Sequence, residues 1–146
     1  MKYIDSNVFI YPVVADEKTE KKALLAKNIL LKIAKGVIEA STSSLTWDEI
    51  VWSIGRLLNL DVAIDEGEKF LKFPNLKLLY IDEKVVKEAQ RLTKKYKLKP
   101  RNAIHSACAI KNGIKEIVSD NPDFDALKEV KRIRLEELNM QLIKIC

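Results

Sequence analysis

The chain opens Met1-Lys2-Tyr3-Ile4-Asp5-Ser6-Asn7-Val8-Phe9-Ile10-Tyr11, MKYIDSNVFIY, an apolar run interrupted by three polar residues. Tyr3, Ile4 and their neighbours carry the aromatic and β-branched side chains of a short buried strand. A carboxylate inside such a strand is costly unless it leaves the core or finds a partner. A strand that ends at Asp5 meets both conditions, because it delivers the carboxylate to the edge of the sheet. Ligands of open α/β sheets bind beyond that edge.

From this strand onward the chain alternates helical patterns with short apolar runs. Residues 19–35 place Ala26, Leu30 and Ile33 on one helical face and stop at Gly36, a helix terminator. Residues 37–42 read as a second strand. In residues 45–59, LTWDEIVWSIGRLLN, the stripe Trp47, Ile50, Val51, Ile54, Leu57 and Leu58 predicts an amphipathic helix. A shorter helix over 62–70 is closed by Pro74. Residues 76–81 give a third strand, and Glu83–Tyr96 a helix burying Val86, Ala89 and Leu92. Pro100 resets the chain before a helix over 101–111. Residues 117–119 make a fourth strand and 131–135 a short fifth. This alternation predicts an α/β fold, a three-layer α/β/α arrangement around a mainly parallel central sheet of four or five strands.

A length of 146 residues, 47% of them hydrophobic, suits one buried core, so a single domain over 1–146 is expected. No apolar run approaches the roughly 20 residues of a membrane span, and the amino terminus lacks a basic-then-apolar leader. A cytoplasmic protein without membrane attachment is expected. Cys108 and Cys146 suggest neither a disulfide framework nor a zinc site, and Cys108 falls in an apolar helical pattern as a small core residue. The net charge of +5 tilts only slightly toward an anionic partner.

Four polar residues lie where strands end or helices begin: Asp5, Glu49, Asn102 and Asp120. Singly, each has a structural explanation. Asp5-Ser6-Asn7 suits an Asx turn, Thr46 to Glu49 spells a capping box, Asn102 is a competent helix cap, and residues 120–125 suit a tight turn. Together they point elsewhere. Three carboxylates converging on one cleft repel one another unless a cation neutralises them, and oxygen donors favour Mg²⁺ or Mn²⁺.

Four stretches, YIDSNVFI (3–10), LTWDEIVWSI (45–54), KPRNAIHSACAIKNG (99–113) and IVSDNPDFD (117–125), together resemble the PIN domain family of metal-dependent ribonucleases, especially the small VapC-type toxins. The resemblance implies that Asp5, Glu49 and Asp120 are metal carboxylates and that Asn7 and Ser119 orient them. It makes Asp123 a further acidic residue at the metal. Asn102 stands where the family usually carries Asp; its amide oxygen can ligate an ion but brings no charge and is a poor proton acceptor. The implied activity is Mg²⁺- or Mn²⁺-dependent hydrolysis of RNA phosphodiesters, leaving 5′-phosphate and 3′-hydroxyl ends. A cognate antitoxin and a homodimer are implied as well.

The alternative, motivated by Asn102, is a catalytically impaired PIN domain serving as an RNA-binding or protein-interaction module. A phosphotransfer domain is disfavoured, because Asn7 occupies the place of the second carboxylate such domains show. Among basic residues, Lys97, Lys99 and Arg101 precede the proposed site and suit RNA phosphates. His105, the single histidine, is expected to be packed or hydrogen-bonded rather than a general base. Trp47 is expected in the core rather than on a base-stacking surface.

Overall fold

The computed structural model describes residues 1–145; Cys146 lies outside them. Its strands are β1 (Lys2–Ile4), β2 (Ala40–Ser43), β3 (Leu76–Leu79), β4 (Glu116–Val118) and β5 (Lys131–Ile133). They form one sheet in the order β3-β2-β1-β4-β5, with every neighbouring pair parallel. The helices are α1 (Ser6–Val14), α2 (Lys21–Ala34), α3 (Ser44–Leu57), α4 (Leu60–Leu71), α5 (Glu83–Tyr96), α6 (Pro100–Lys111) and α7 (Leu135–Ile145). A short 3₁₀ helix spans Pro122–Ala126.

Alternation along the strands divides the core into two. Ile4, Val118 and Ile133 face one side and pack with Val8 of α1, Ile29 and Ile33 of α2, Ile50 and Ile54 of α3, and Leu138 of α7. Tyr3 and Ile117 face the other side and pack with Val85, Ala89 and Leu92 of α5, Ala103 and Ala107 of α6, and Phe124. Helices thus cover both faces, giving the three layers. Cys108 is a fully buried free thiol of the second core, pushed up to about 11 by burial and by the nearby Asp82 charge. Strand order reverses between β1 and β4, so the crevice beyond their carboxyl ends is the switch point of the sheet.

Two helices go beyond the sequence expectation. Residues after Asp5 form α1 rather than prolonging a strand or making a lone turn, and residues after Arg134 form α7, which buries Leu135, Leu138 and Leu142 at helical spacing. Helix α5 buries Ala89 and Leu92 as expected, but Val85 in place of Val86. Its cap Asp82 accepts from the Val85 amide at 3.0 Å, Val85 is buried, and Val86 is 51% exposed.

Trp47 is 42% exposed and is not a core residue, and Leu57 and Leu58 are exposed too. Only Ile50 and Ile54 of that stripe are fully covered, although α4 crosses α3 closely. A Cβ at Gly67 of α4 would sit 2.9 Å from Val51 Cγ2 and 3.1 Å from Trp47 Nε1, so the contact requires glycine there.

Candidate active site

The backbone delivers Asp5 to the switch-point crevice. Its amide donates to the Val118 carbonyl at 3.0 Å, extending the pairing of β1 and β4 by one residue. Asp5 then caps α1. Its Oδ1 accepts from the Ser6 amide at 2.7 Å and the Ser6 hydroxyl at 3.4 Å. Its Oδ2 accepts from Ser119 Oγ at 2.6 Å and Asn7 Nδ2 at 3.3 Å. Ser119 is fixed in turn, since its Oγ also accepts from Asn7 Nδ2 at 3.2 Å and from the Asn121 amide at 2.9 Å. The carboxylate is therefore held on both oxygens although it is only 5% exposed.

Glu49 approaches from α3, one turn and a half inside the helix. It is not a capping residue: Thr46 lies within α3, and its hydroxyl meets Thr42 Oγ1 at 2.6 Å. Glu49 Oε1 is instead hydrogen-bonded to Nε2 of His105, and the same nitrogen lies 3.7 Å from Asp5 Oδ1. Behind the imidazole, Tyr3 Oη is 2.6 Å from Nδ1 and donates its hydroxyl to Ser43 Oγ at 2.8 Å. Burial disfavours an imidazolium at His105, but the Glu49 hydrogen bond and the Asp5 and Glu49 charges together hold its pKa above the ordinary value. Tyr3 itself is pushed far above the usual phenol range by burial.

Asp5, Glu49 and His105 place ligand atoms within 4.8 Å of one another. The remaining predicted residues surround this group without joining it. Asp120 is engaged elsewhere, accepting from Tyr11 Oη at 2.7 Å and pairing with Lys22 Nζ at 2.8 Å. That contact raises the Lys22 pKa, and burial together with the Asp120 hydrogen bond raises Tyr11. Asn102 is the third residue of α6, which is capped by Lys99, and its Nδ2 donates to Asp123 Oδ2 at 3.3 Å. Lys97, in the left-handed conformation that ends α5, and Lys99 line a cavity of about 430 Å³ with Tyr96, Pro122 and Asp123. Arg101 reaches Asp48 Oδ2 at 3.5 Å. Tyr3, Tyr11 and Lys22 escape a reading of the sequence because nothing in their local pattern marks them as polar partners.

The donor chemistry fits a hard divalent cation. Asp5 and Glu49 supply carboxylate oxygens, and Asn7 Oδ1, on the amide that braces Asp5, is buried with no hydrogen-bond partner among the described residues. A buried amide oxygen without a partner costs about 1–3 kcal/mol, which a bound cation or its water would relieve. Asp5, Glu49 and Asn7 are the residues that would hold such an ion.

The family model for the PIN domain matches residues 2–130. The chain belongs to the PIN domain family. Solved structures with the same fold include the VapC20 toxin of Mycobacterium tuberculosis, described as cleaving the sarcin-ricin loop. The two align with a TM-score of 0.71 at 13% identity, covering 89% of this PIN domain chain and 97% of VapC20. VapBC2 of Rickettsia felis, solved on a DNA fragment from its promoter, aligns with a TM-score of 0.69 at 16% identity over 92% and 98% of the two chains. A Pyrobaculum aerophilum protein aligns with a TM-score of 0.66 at 19% identity over 98% and 95%. Among curated proteins, none matches the sequence. At these identities the structural likeness establishes the fold, and the chemistry of this PIN domain rests on its own residues.

Proposed function

We propose that this PIN domain is a Mg²⁺- or Mn²⁺-dependent endoribonuclease and the toxin of a toxin-antitoxin pair. The observation that carries the catalytic reading is the convergence of Asp5 and Glu49 at the switch point, beside the unpartnered Asn7 oxygen. The likeness to VapC20, described as a toxin that cleaves the sarcin-ricin loop, and to a protein of Klebsiella pneumoniae described as a toxin-antitoxin complex supports the biological role. The functional unit is one domain over 1–146, cytoplasmic and active as a homodimer under the control of a cognate antitoxin. Among the described residues no helix is long and apolar enough to cross a membrane.

In this reading Asp5 and Glu49 hold the ion, and Asp120, Asp123 and Asn102 complete a polar rim. When bound, the ion polarises a phosphate and lowers the pKa of a water. The chain does the rest. Ser119, Asn7 and the Ser6 amide fix both oxygens of Asp5. His105 holds one oxygen of Glu49, leaving the other to accept a proton from the attacking water. Lys97, Lys99 and Arg101 bind flanking RNA phosphates as salt-sensitive contacts.

Purified protein is expected to cleave structured RNA in Mn²⁺, leaving 5′-phosphate ends, and to stop when EDTA is added or Asp5 is changed to Ala. Cleavage indifferent to EDTA would exclude the proposal. The reading as an impaired binding module, which Asn102 favours, predicts RNA binding without cleavage until Asn102→Asp restores it.

A further inference from the structure

Along α3 a second set of groups leaves the carboxylate cluster. Glu49, Trp52 and Arg56 stand at i, i+3 and i+7, so they succeed one another along one side of the helix. Trp52 is 53% exposed, an unusual position for the most area-rich apolar side chain. Two guanidinium groups attend its indole: Arg56 Cζ is 4.7 Å from the ring centroid and Arg101 Cζ is 5.9 Å from it. Arg101 comes from the first turn of α6, next to Asn102, and its other contact is the exposed Asp48 at 3.5 Å. The indole borders a groove of about 450 Å³ whose lining includes Trp47, Gly55 and Leu60.

We propose that Trp52, Arg56 and Arg101 form a stacking subsite for one unpaired base of the RNA, adjacent to the phosphodiester that the carboxylate cluster cleaves. The proposal rests on the ribonuclease reading above. Proteins that hold single-stranded nucleic acid combine an aromatic face for the base with cationic groups for its phosphates. Here both elements are present, Trp52 three residues beyond Glu49 on α3 and Arg101 next to Asn102 on α6. The two arginines outnumber the one acid, Asp48, and a phosphate competes for Arg101 against a solvent-exposed pair that contributes little.

The test uses the full chain carrying Asp5→Asn, so that RNA survives, and a fluorescein-labelled single-stranded oligoribonucleotide followed by anisotropy. A set of oligonucleotides, each with one abasic residue, locates the stacked base. Trp52→Ala is expected to weaken the intact oligonucleotide about 5- to 150-fold, and Trp52→Phe to recover most of the loss. One abasic position should cost the Trp52 protein that same factor and cost the Trp52→Ala protein nothing further. Equal abasic penalties in both proteins, or undiminished binding by Trp52→Ala, overturn the subsite and leave the ribonuclease reading standing. A change in oligomeric state on Trp52→Ala with unchanged RNA affinity assigns the face to a protein contact and also overturns it. If the parent protein cleaves no RNA and binds none of the oligonucleotides, both proposals fall together.

Discussion

His105 Nε2 is hydrogen-bonded to Glu49 Oε1 while lying 3.7 Å from Asp5 Oδ1, so one buried imidazole spans two carboxylates contributed by different elements. Its Nε2 stands between the two and, when protonated, offsets their charge. Without it, two acids face each other in a space largely closed to water.

The first prediction follows from that arrangement. His105→Leu leaves Asp5 and Glu49 uncompensated, so the metal-free protein should lose about 3–5 kcal/mol in urea unfolding. Saturating Mn²⁺ should stabilise the variant more than it stabilises the parent, because the ion replaces the missing charge. Identical Mn²⁺ increments in the two proteins would show that no ion binds between these acids.

Glu49→Gln keeps an oxygen near His105 but removes the proton acceptor. Single-turnover cleavage should fall by about 10²- to 10⁴-fold with circular dichroism unchanged. A variant cleaving at the parent rate would remove Glu49 from the chemistry.

Asn102→Asp sets a second carboxylate against Asp123, where the parent has a 3.3 Å amide donor. The metal-free variant should melt earlier than the parent, and titration calorimetry should find tighter Mn²⁺ binding. Weaker Mn²⁺ binding by the variant would place Asn102 away from the ion.

Two glycines of the α3–α4 pair should respond oppositely to alanine. At Gly55 a Cβ would lie an ordinary 3.7 Å from Ala63, and Gly55→Ala should stabilise by about 0.5–1 kcal/mol through helix propensity. At Gly67 the Cβ would come within 2.9 Å of the stiff Val51 side chain, and Gly67→Ala should destabilise by about 1–3 kcal/mol. Denaturant midpoints at matched slopes decide both.

Acid stability offers a separate check, remote from the cleft. The Arg91 hydrogen bond, opposed by partial burial and aided by the Arg91 and Lys111 charges, holds the Glu88 pKa below its ordinary 4.5. A depressed carboxyl stabilises the fold above its unfolded pKa and loses that contribution as pH falls through the folded value. Glu88→Gln should therefore be less stable than the parent at neutral pH, with the gap closing as the solution is acidified below 4.5. A gap that persists at the acid end would mean the substitution acts through packing.

The strands were legible because alternation and β-branching are local properties: Tyr3 with Ile4, and Ile117 with Val118, declare opposite faces by adjacency. The helix at Glu83–Tyr96 was legible in extent, yet its first turn depended on the Asp82 cap, which shifts burial from Val86 to Val85. Helix α1 was hidden by composition. Val8, Phe9, Ile10, Val13 and Val14 with an internal Pro12 favour extended chain, and tertiary packing against α2 and α3 overrides that preference. Trp47 was misplaced because a stripe of apolar residues does not reveal which of its members the next helix leaves uncovered. For the site, strand ends pointed to Asp5 as a group at the sheet edge. The orientation of Asp120 toward Tyr11 and Lys22 depends on partners 109 and 98 residues away, which no local pattern encodes.

The central position of β1 also governs the order in which the cleft can come into being. Tyr3 pairs with Ile117, and Ser119 grips Asp5 across a sequence separation of 114. Chain synthesis runs from the amino terminus, so the first strand made must wait for nearly the last strand before its inner edge is paired. Parallel pairing across such a separation is slow to form, since loop closure precedes any reward. Asp5 and Ser119 therefore come together late, and a growing or partly folded chain carries the residues of the cleft without possessing the cleft.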